Sequence, residues 1–275
     1  MKTIKVSYLK IVFLLVLVFS ISLVQYSCGQ QAEKLQSEKF YDYRIMAVYP
    51  HDARAFTQGL FFYDGYLYEG TGLYGASSLR KVRLEDGKIL KQLELSAQYF
   101  GEGITVVNDR IVQLTWKEYR GFVYDLDTFT EIDQFTLSTE GWGLTYDGQY
   151  LIMSDGSAQL TYLECDTYKP VKYLTVTSRN GPVENLNELE YINGVIYANV
   201  WQTKNIVLID PDDGRVIGWI DLSELPEFNV EPHSPRVDVL NGIAYDTSTD
   251  SLYITGKLWS HIYQIEMQEL TDVCN

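Results

Sequence analysis

From about residue 40 to residue 270 the chain alternates hydrophobic and polar positions in short runs, broken by pairs such as Asp-Gly, Asn-Asp and Asn-Gly. That alternation has the period of a strand with one buried face, and the paired turn residues mark tight hairpins. Five segments share one plan: QGLFFYDGYLY from Gln58, EGITVVNDRIV from Glu102, WGLTYDGQYLI from Trp142, NELEYINGVIY from Asn187 and NGIAYDTSTDSLYI from Asn241. Each is an apolar strand, a turn and a second apolar strand. A third strand ending in an acidic turn follows each (VRLEDGK, VYDLDTF, YLECDTY, VLIDPDDG and, more weakly, YQIEMQE). A fourth follows in four of the five, as ILKQLEL, EIDQFTL, VKYLTV and VIGWIDL. Helical periodicity is almost absent; the best candidate, Leu222 to Phe228, amounts to a single turn.

The first positions of the repeats are 44, 40, 45 and 54 residues apart, the length of a four-stranded propeller blade. The longest spacing reflects an insertion around Pro226 to Pro235. The fifth repeat runs out near Leu270, whereas YDYRIMAVYP (Tyr41 to Pro50) precedes the first repeat with no blade of its own. This segment is therefore expected to supply the missing outer strand and remove an open sheet edge. The fold predicted is all-β, a five-bladed β-propeller whose last blade is closed by an N-terminal strand.

In such a ring, equivalent positions of the repeats meet although they are 40 or more residues apart in sequence. The residues opening the first strands are Gln58, Glu102, Trp142, Asn187 and Asn241; those just past the second strands are Gly72, Trp116, Gly156, Trp201 and Lys257. Taken singly, each has a plain structural role as core, turn or solvated charge. A ring built only for packing would repeat one residue type, however, and here the repeats diverge where they converge in space. Three tryptophans, an acid, a lysine and amides at those places define a candidate site. Trp219 lies outside both registers and reads as packing, while Trp259 is undecided. The glycines flanking Glu102 are expected to allow a ligand to approach the backbone closely.

Composition supports the sheet reading, with 22 Tyr and 7 Pro. The N-terminus is separate. Lys2, Lys5 and Lys10 precede an apolar run from Ile11 to Val24, too short to span a bilayer comfortably and flanked like a secretory signal. Cys28 follows the small Ser27 where a bacterial lipoprotein is cut and acylated, although Gln25 stands where Leu is usual. The division is thus 1–27 signal peptide of lipoprotein type, 28–39 tether and 40–275 propeller domain. The product would be an exported lipoprotein of the periplasm or outer membrane, the latter favoured because Gly29 replaces the Asp of inner-membrane retention. The formal net charge is −15 and becomes about −18 without the leader's three lysines. Such a charge argues against nucleic acid, and membrane association is expected only through a lipid anchor. A monomer is expected. The sequence leaves open whether Cys165 and Cys274 pair.

His51, His233 and His261 lie far apart with no ligand spacing, so no zinc motif is present. There is no GxSxG elbow, and the Ser of DGSAQ has the wrong context. What remains is an aromatic cup with one carboxylate, one ammonium and several amides. Burial among aromatics should raise the Glu102 pKa toward the range of a general acid/base, with lysine or amide donors for an oxyanion. Two alternatives use the same residues: a propeller lactonase holding Ca²⁺ through Glu102, Asp155, Asn187 and Asn241, or a non-catalytic lipoprotein binding a peptide or glycan.

The blocks FTQGL, FGEGIT, QLTW, GWGLTYDG, LNELEYING, NVWQT, VLIDP and ITGKLW, in this order over residues 45–267, resemble the plant-type glutaminyl cyclases (glutaminyl-peptide cyclotransferases), which include bacterial members. The resemblance implies a five-bladed propeller that converts an N-terminal glutamine of a peptide or protein to pyroglutamate and releases ammonia. It implies no catalytic zinc and no cofactor required for catalysis, although a structural cation is compatible with it. It adds Phe56 and Phe100 to the pocket of Gln58, Glu102, Trp116, Trp142, Asn187, Trp201 and Lys257, with Asn241 ranked lower. On this reading Glu102 carries the protons, while Gln58, Asn187, Lys257 and indole N–H groups of Trp142 or Trp201 bind the oxyanion. Phe56, Phe100 and Trp116 shape the cup.

Overall fold

The computed structural model describes residues 38–229 and 237–270. The predicted signal peptide, Cys28 and nearly all of the tether therefore lie outside the described residues, as do His233, much of the 226–235 insertion and Cys274. Cys165 is buried and its thiol donates to the Gln149 carbonyl at 3.3 Å.

The regular structure of the described chain is almost all strand. After β1 (Lys39–Pro50), the first repeat forms β2 (Thr57–Tyr63), β3 (Tyr66–Thr71), β4 (Ser78–Arg83) and β5 (Lys88–Glu94). The second forms β6 (Gly101–Val107), β7 (Arg110–Thr115), β8 (Arg120–Asp125) and β9 (Glu131–Thr136). The third forms β10 (Leu144–Tyr146), β11 (Tyr150–Met153), β12 (Gln159–Glu164) and β13 (Pro170–Thr175), followed by a small unanticipated hairpin, β14 (Thr177–Ser178) and β15 (Gly181–Pro182). The fourth forms β16 (Leu186–Ile192), β17 (Val195–Val200), β18 (Asn205–Ile209) and β19 (Val216–Asp221). The fifth forms β20 (Leu240–Asp246), β21 (Ser251–Gly256) and β22 (His261–Glu269). The expected turn near Leu222 to Phe228 is a short 3₁₀ segment at Pro226–Asn229.

The first three repeats are separate antiparallel four-stranded sheets in chain order. Their hairpins form where the turn chemistry permits. Asp64–Gly65, Asn108–Asp109 and Asn193–Gly194 all have positive φ at both positions, so two-residue turns match the strand twist. Burial falls outward: β2 and β6 are buried along most of their length, whereas β5 and β9 are largely exposed. The first strands touch one another in a closed circuit, β2 to β6, β10, β16, β20 and back to β2.

β1 does what its lone position in the sequence implied, and more. It pairs antiparallel with β22 from Tyr41↔Glu269 to Pro50↔His261, supplying that sheet's outer strand. Its first residues also pair parallel with β19, Lys39↔Gly218 to Tyr41↔Ile220, which joins the last two sheets into one of eight strands. Past β1, the His51 N–H donates to Ser260 O at 2.8 Å, and the buried His51 ring contacts Trp259 O and the Glu69 carboxylate, each at 2.8 Å. Burial opposes a charge on this ring, but Glu69 outweighs it and raises the His51 pKa. The closing strand is thereby locked to the first sheet as well as the last.

Trp259 proves to be core: it is fully buried, packs on Phe228 and donates its N–H to Asp238 O at 2.9 Å. Trp219 packs against the core shared by the third and fourth repeats and donates to Glu38 at 2.9 Å, in line with a packing role.

Candidate active site

Four of the first strands break register at the same place, between Thr57 and Gly59, Gly101 and Ile104, Leu186 and Leu189, and Leu240 and Ile243. Such bulges re-aim a side chain out of the strand's normal alternation. Gln58, Glu102, Asn187 and Asn241 all lie inside them. Trp142 lies just before β10; Trp116, Trp201 and Lys257 follow directly on β7, β17 and β21. All therefore sit at one end of the ring, opposite the hairpin turns.

A cavity of about 330 Å³ opens there. Gln58, Glu102, Asn187 and Lys257 line it, each at most 4% exposed. Phe56, Phe100, Trp116, Trp142 and Trp201 form its walls, and Leu73 and Asp238 complete it. A larger depression of about 760 Å³ lies at the other end, among turns carrying Asp64, Asp109, Asp125, Asp127 and Asp246. The smaller cavity is the better chemical site, because buried polar groups without partners among the described residues converge on it.

Asn187 makes no side-chain hydrogen bond among the described residues, and its Oδ1 is buried and unpaired. A buried amide in that state is prepared for a ligand. The Lys257 ammonium has no ion-pair partner within 4 Å among the described residues and lies 4.9 Å over the Phe56 ring. Burial lowers its pKa, against the pull of Glu102 and Asp238. Glu102 accepts one hydrogen bond, from Gln58 Nε2 at 3.1 Å. Burial raises its pKa well above the ordinary carboxylate range; Lys257 opposes this, while Glu140 and Glu118 add to it. The pocket thus holds a carboxyl that burial makes a stronger proton acceptor than an exposed one, beside a cation placed for a developing negative charge.

Three expectations are corrected here. Asn241 does not line the cavity; fully buried, it donates to Thr57 O at 3.0 Å and Gln58 Oε1 at 3.3 Å, so it orients Gln58, which in turn orients Glu102. The Trp142 indole N–H is not free for substrate: it and the Trp116 N–H both donate to Glu140 Oε2, at 3.1 and 2.8 Å. The glycines around Glu102 do not face the cavity. A Cβ on Gly103 would fall 2.5 Å from Trp142 O and 2.6 Å from Leu144 N, so this glycine admits the backbone of the next sheet. Gly101 meets Thr71 O and the Gln113 side chain in the same way.

Asp155, offered as a metal ligand, turns its carboxylate back on Ser157 N and Oγ at 3.0 and 2.6 Å. Glu118, Glu140 and Asp238 were not singled out from the sequence. Glu118 lies between β7 and β8, Glu140 between β9 and β10 and Asp238 before β20, all outside the two registers read from the sequence; an acid two residues before Trp142 was the one hint.

An all-β ring of short hairpins, with a buried carboxyl and an ammonium in an aromatic cup, has the equipment of an acyl-transfer enzyme acting on a small uncharged group. The chain belongs to the glutamine cyclotransferase family, whose profile matches residues 16–267. A glutaminyl-peptide cyclotransferase from Arabidopsis thaliana is 41% identical over 235 residues, covering 85% of this chain and 73% of that protein. The crystal structure of Myxococcus xanthus glutaminyl cyclase is also similar, at 36% identity and a TM-score of 0.80, covering 86% of this chain and 100% of that one.

Proposed function

We propose that this chain is a glutaminyl-peptide cyclotransferase, which closes the N-terminal glutamine of a peptide or protein to pyroglutamate with release of ammonia. The substrate's α-amino nitrogen attacks its own γ-carboxamide carbon. Glu102 accepts the proton shed by the attacking nitrogen and delivers it to the departing nitrogen, so that the C–N bond of the carboxamide breaks with loss of NH₃. Lys257 and the Asn187 amide stabilise the oxyanion, and Gln58, set by Asn241, aims Glu102. The aromatic walls hold the side chain folded for attack and keep out water that would hydrolyse the amide instead.

The observation that carries this reading is the buried trio of Glu102, Lys257 and Asn187 in one aromatic cavity, two of them without side-chain polar partners among the described residues. The ammonium already supplies the positive charge beside the carboxylate, so the catalytic step is proposed to need no metal or cofactor. Ammonia release from glutaminyl dipeptides, with and without EDTA, tests it. Glu102→Gln should lower kcat by roughly 10²–10⁴-fold with an unchanged circular-dichroism spectrum. Near-normal turnover in that variant overturns the mechanism, loss of wild-type activity in EDTA favours a metal-dependent enzyme, and binding without ammonia release favours a non-catalytic protein.

Five repeats, the closed circuit of first strands and the shared outer strand β1 support a five-bladed propeller as the finer description of the fold. The basic and apolar leader ending at Cys28 supports export as a monomeric lipoprotein of the periplasm or outer membrane. Retention of Cys28→Ala in the membrane fraction would contradict the anchor.

A further inference from the structure

The aromatic wall of the pocket comes in two pieces. Phe56, Phe100 and Trp116 pack edge to face at centroid separations of 6.1 and 5.4 Å, and Trp142 and Trp201 do so at 5.6 Å. The first piece hangs from the ends of β2, β6 and β7, the second from β10 and β17. Glu140 joins them. Its Oε2 accepts Trp116 Nε1–H at 2.8 Å and Trp142 Nε1–H at 3.1 Å, although Glu140 does not itself line the cavity. The loop that carries it is also tied down: the Gly141 N–H donates to Thr115 O at 3.2 Å and the Trp142 N–H to Ser154 O at 3.0 Å.

We propose that Glu140 is a positioning residue for the cyclisation: by accepting both indole N–H groups it holds the two halves of the aromatic wall at the separation that grips the substrate's side chain. This rests on the cyclotransferase reading of the pocket. An indole has one N–H, and both are spent on Glu140, so Trp116 and Trp142 present only ring surface to the substrate. That surface suits the methylene chain of glutamine and leaves its carboxamide to Asn187 and Lys257. Hydrogen bonds to an ionised acceptor are about twice as strong as neutral ones, which suits a clamp. The ring formed in the reaction needs its nitrogen and carbonyl carbon brought into contact, so a loosened wall releases the folded conformer.

The same carboxylate has an electrostatic consequence. The groups bearing on Glu102 are Lys257, which lowers its proton affinity, and Glu140 and Glu118, which raise it; Gln58 donates to it as a neutral partner. Glu118 is likewise bound to the wall, accepting the Tyr74 hydroxyl at 2.8 Å and Phe100 N–H at 3.3 Å. Removing the Glu140 charge should therefore lower the Glu102 pKa.

Steady-state ammonia release from a glutaminyl dipeptide amide, with the tryptophan emission of the unliganded protein, separates the two effects. Glu140→Ala should raise KM about tenfold and change the emission. Glu140→Gln keeps an acceptor for the indoles, so KM should return to within about twofold of wild type. The limb of its pH profile that titrates Glu102 should move to lower pH by about half a unit. Glu140→Asp keeps the charge but shortens the reach, so KM should rise with that limb unmoved; it serves where the alanine variant does not fold. A folded Glu140→Ala protein with wild-type KM and emission overturns the clamp, as does a Glu140→Gln protein as impaired in KM as alanine. An unmoved pH limb in Glu140→Gln overturns the electrostatic part. A wild-type chain that releases no ammonia sinks the cyclotransferase reading instead, and the emission of Glu140→Ala still decides the clamp.

Discussion

Glu102 shows how far a single residue can be read from its neighbours in sequence. An acid among Phe100, Trp116 and Trp142 is expected to hold its proton more tightly than an exposed one, and burial does raise its pKa well above the usual value. Lys257 is the counterweight. Replacing it with Met removes the charge that favours the ionised carboxyl, so the Glu102 limb of the pH profile should move to higher pH, opposite to the shift expected for Glu140→Gln. Loss of the oxyanion's cation should also lower kcat by about 10²–10³-fold. A pH series of kcat and kcat/KM for Lys257→Met checks both, and a profile superimposable on wild type would remove Lys257 from the site. Gln58, Glu102, Asn187 and Lys257 were legible because each occupies a position the repeats bring together. Glu118, Glu140 and Asp238 were not, because they lie outside the two registers, in loops whose course the alternation of the strands does not set.

At the scale of the element, the first hairpins carry two devices. In four of the five a bulge turns Gln58, Glu102, Asn187 or Asn241 out of the strand's alternation, and in the first three Gly59, Gly103 and Gly143 admit the next sheet's backbone. Gly143 is the tightest case, since a Cβ there would collide with Asn187 O, the backbone of a residue proposed to bind the oxyanion. Gly143→Ala should therefore cost about 3 kcal/mol or more, the upper range for overpacking, and disturb the site. Gly148→Ala is the control: its φ is +95° but a Cβ would meet nothing within 4 Å. It should cost only about 1–2 kcal/mol from backbone strain. Urea denaturation of the two variants checks the difference, and equal losses would show that close approach is not what Gly143 provides. The strands themselves were readable from period and turn chemistry. The bulges were not, because a bulge is a mismatch between two strands and neither one records it alone.

At the scale of the whole molecule, two carboxyls on β16 tie it to other first strands, Glu188 across the ring to β2 and both to the adjacent β20. Glu188 accepts the backbone N–H of Leu60 at 3.2 Å and of Ile243 at 2.8 Å, and Glu190 accepts that of Tyr245 at 3.1 Å. They link β16 to β2 and β20 at backbone groups that lie inside the circuit. Burial raises both pKa values, that of Glu190 to about 8 from 4.5. Between those two values the native state holds more proton than the unfolded chain. The stability Glu190 contributes is therefore complete below pH 4.5 and lost as pH rises toward 8, at no more than about 1.4 kcal/mol per pH unit. Glu190→Gln abolishes that loss, so its stability relative to wild type should climb across the window and level off above it. Denaturant midpoints at pH 5, 7 and 9 measure the difference, and a flat difference would show that Glu190 ionises in the native state as it does when unfolded.

The sequence by itself determined the all-β class, the repeat length, the need for an outer strand from the N-terminus and most of the residues at the pocket. Those follow from local alternation, turn-forming pairs and the arithmetic of a repeat, which any stretch of chain carries with it. Tertiary structure alone decided what the glycines are for, that both indole N–H groups are committed to Glu140, that Asn241 stands behind Gln58, and that Glu188 and Glu190 tie β16 to other first strands. Each of these depends on how close two segments distant in sequence come to lie, and only the folded packing sets that distance.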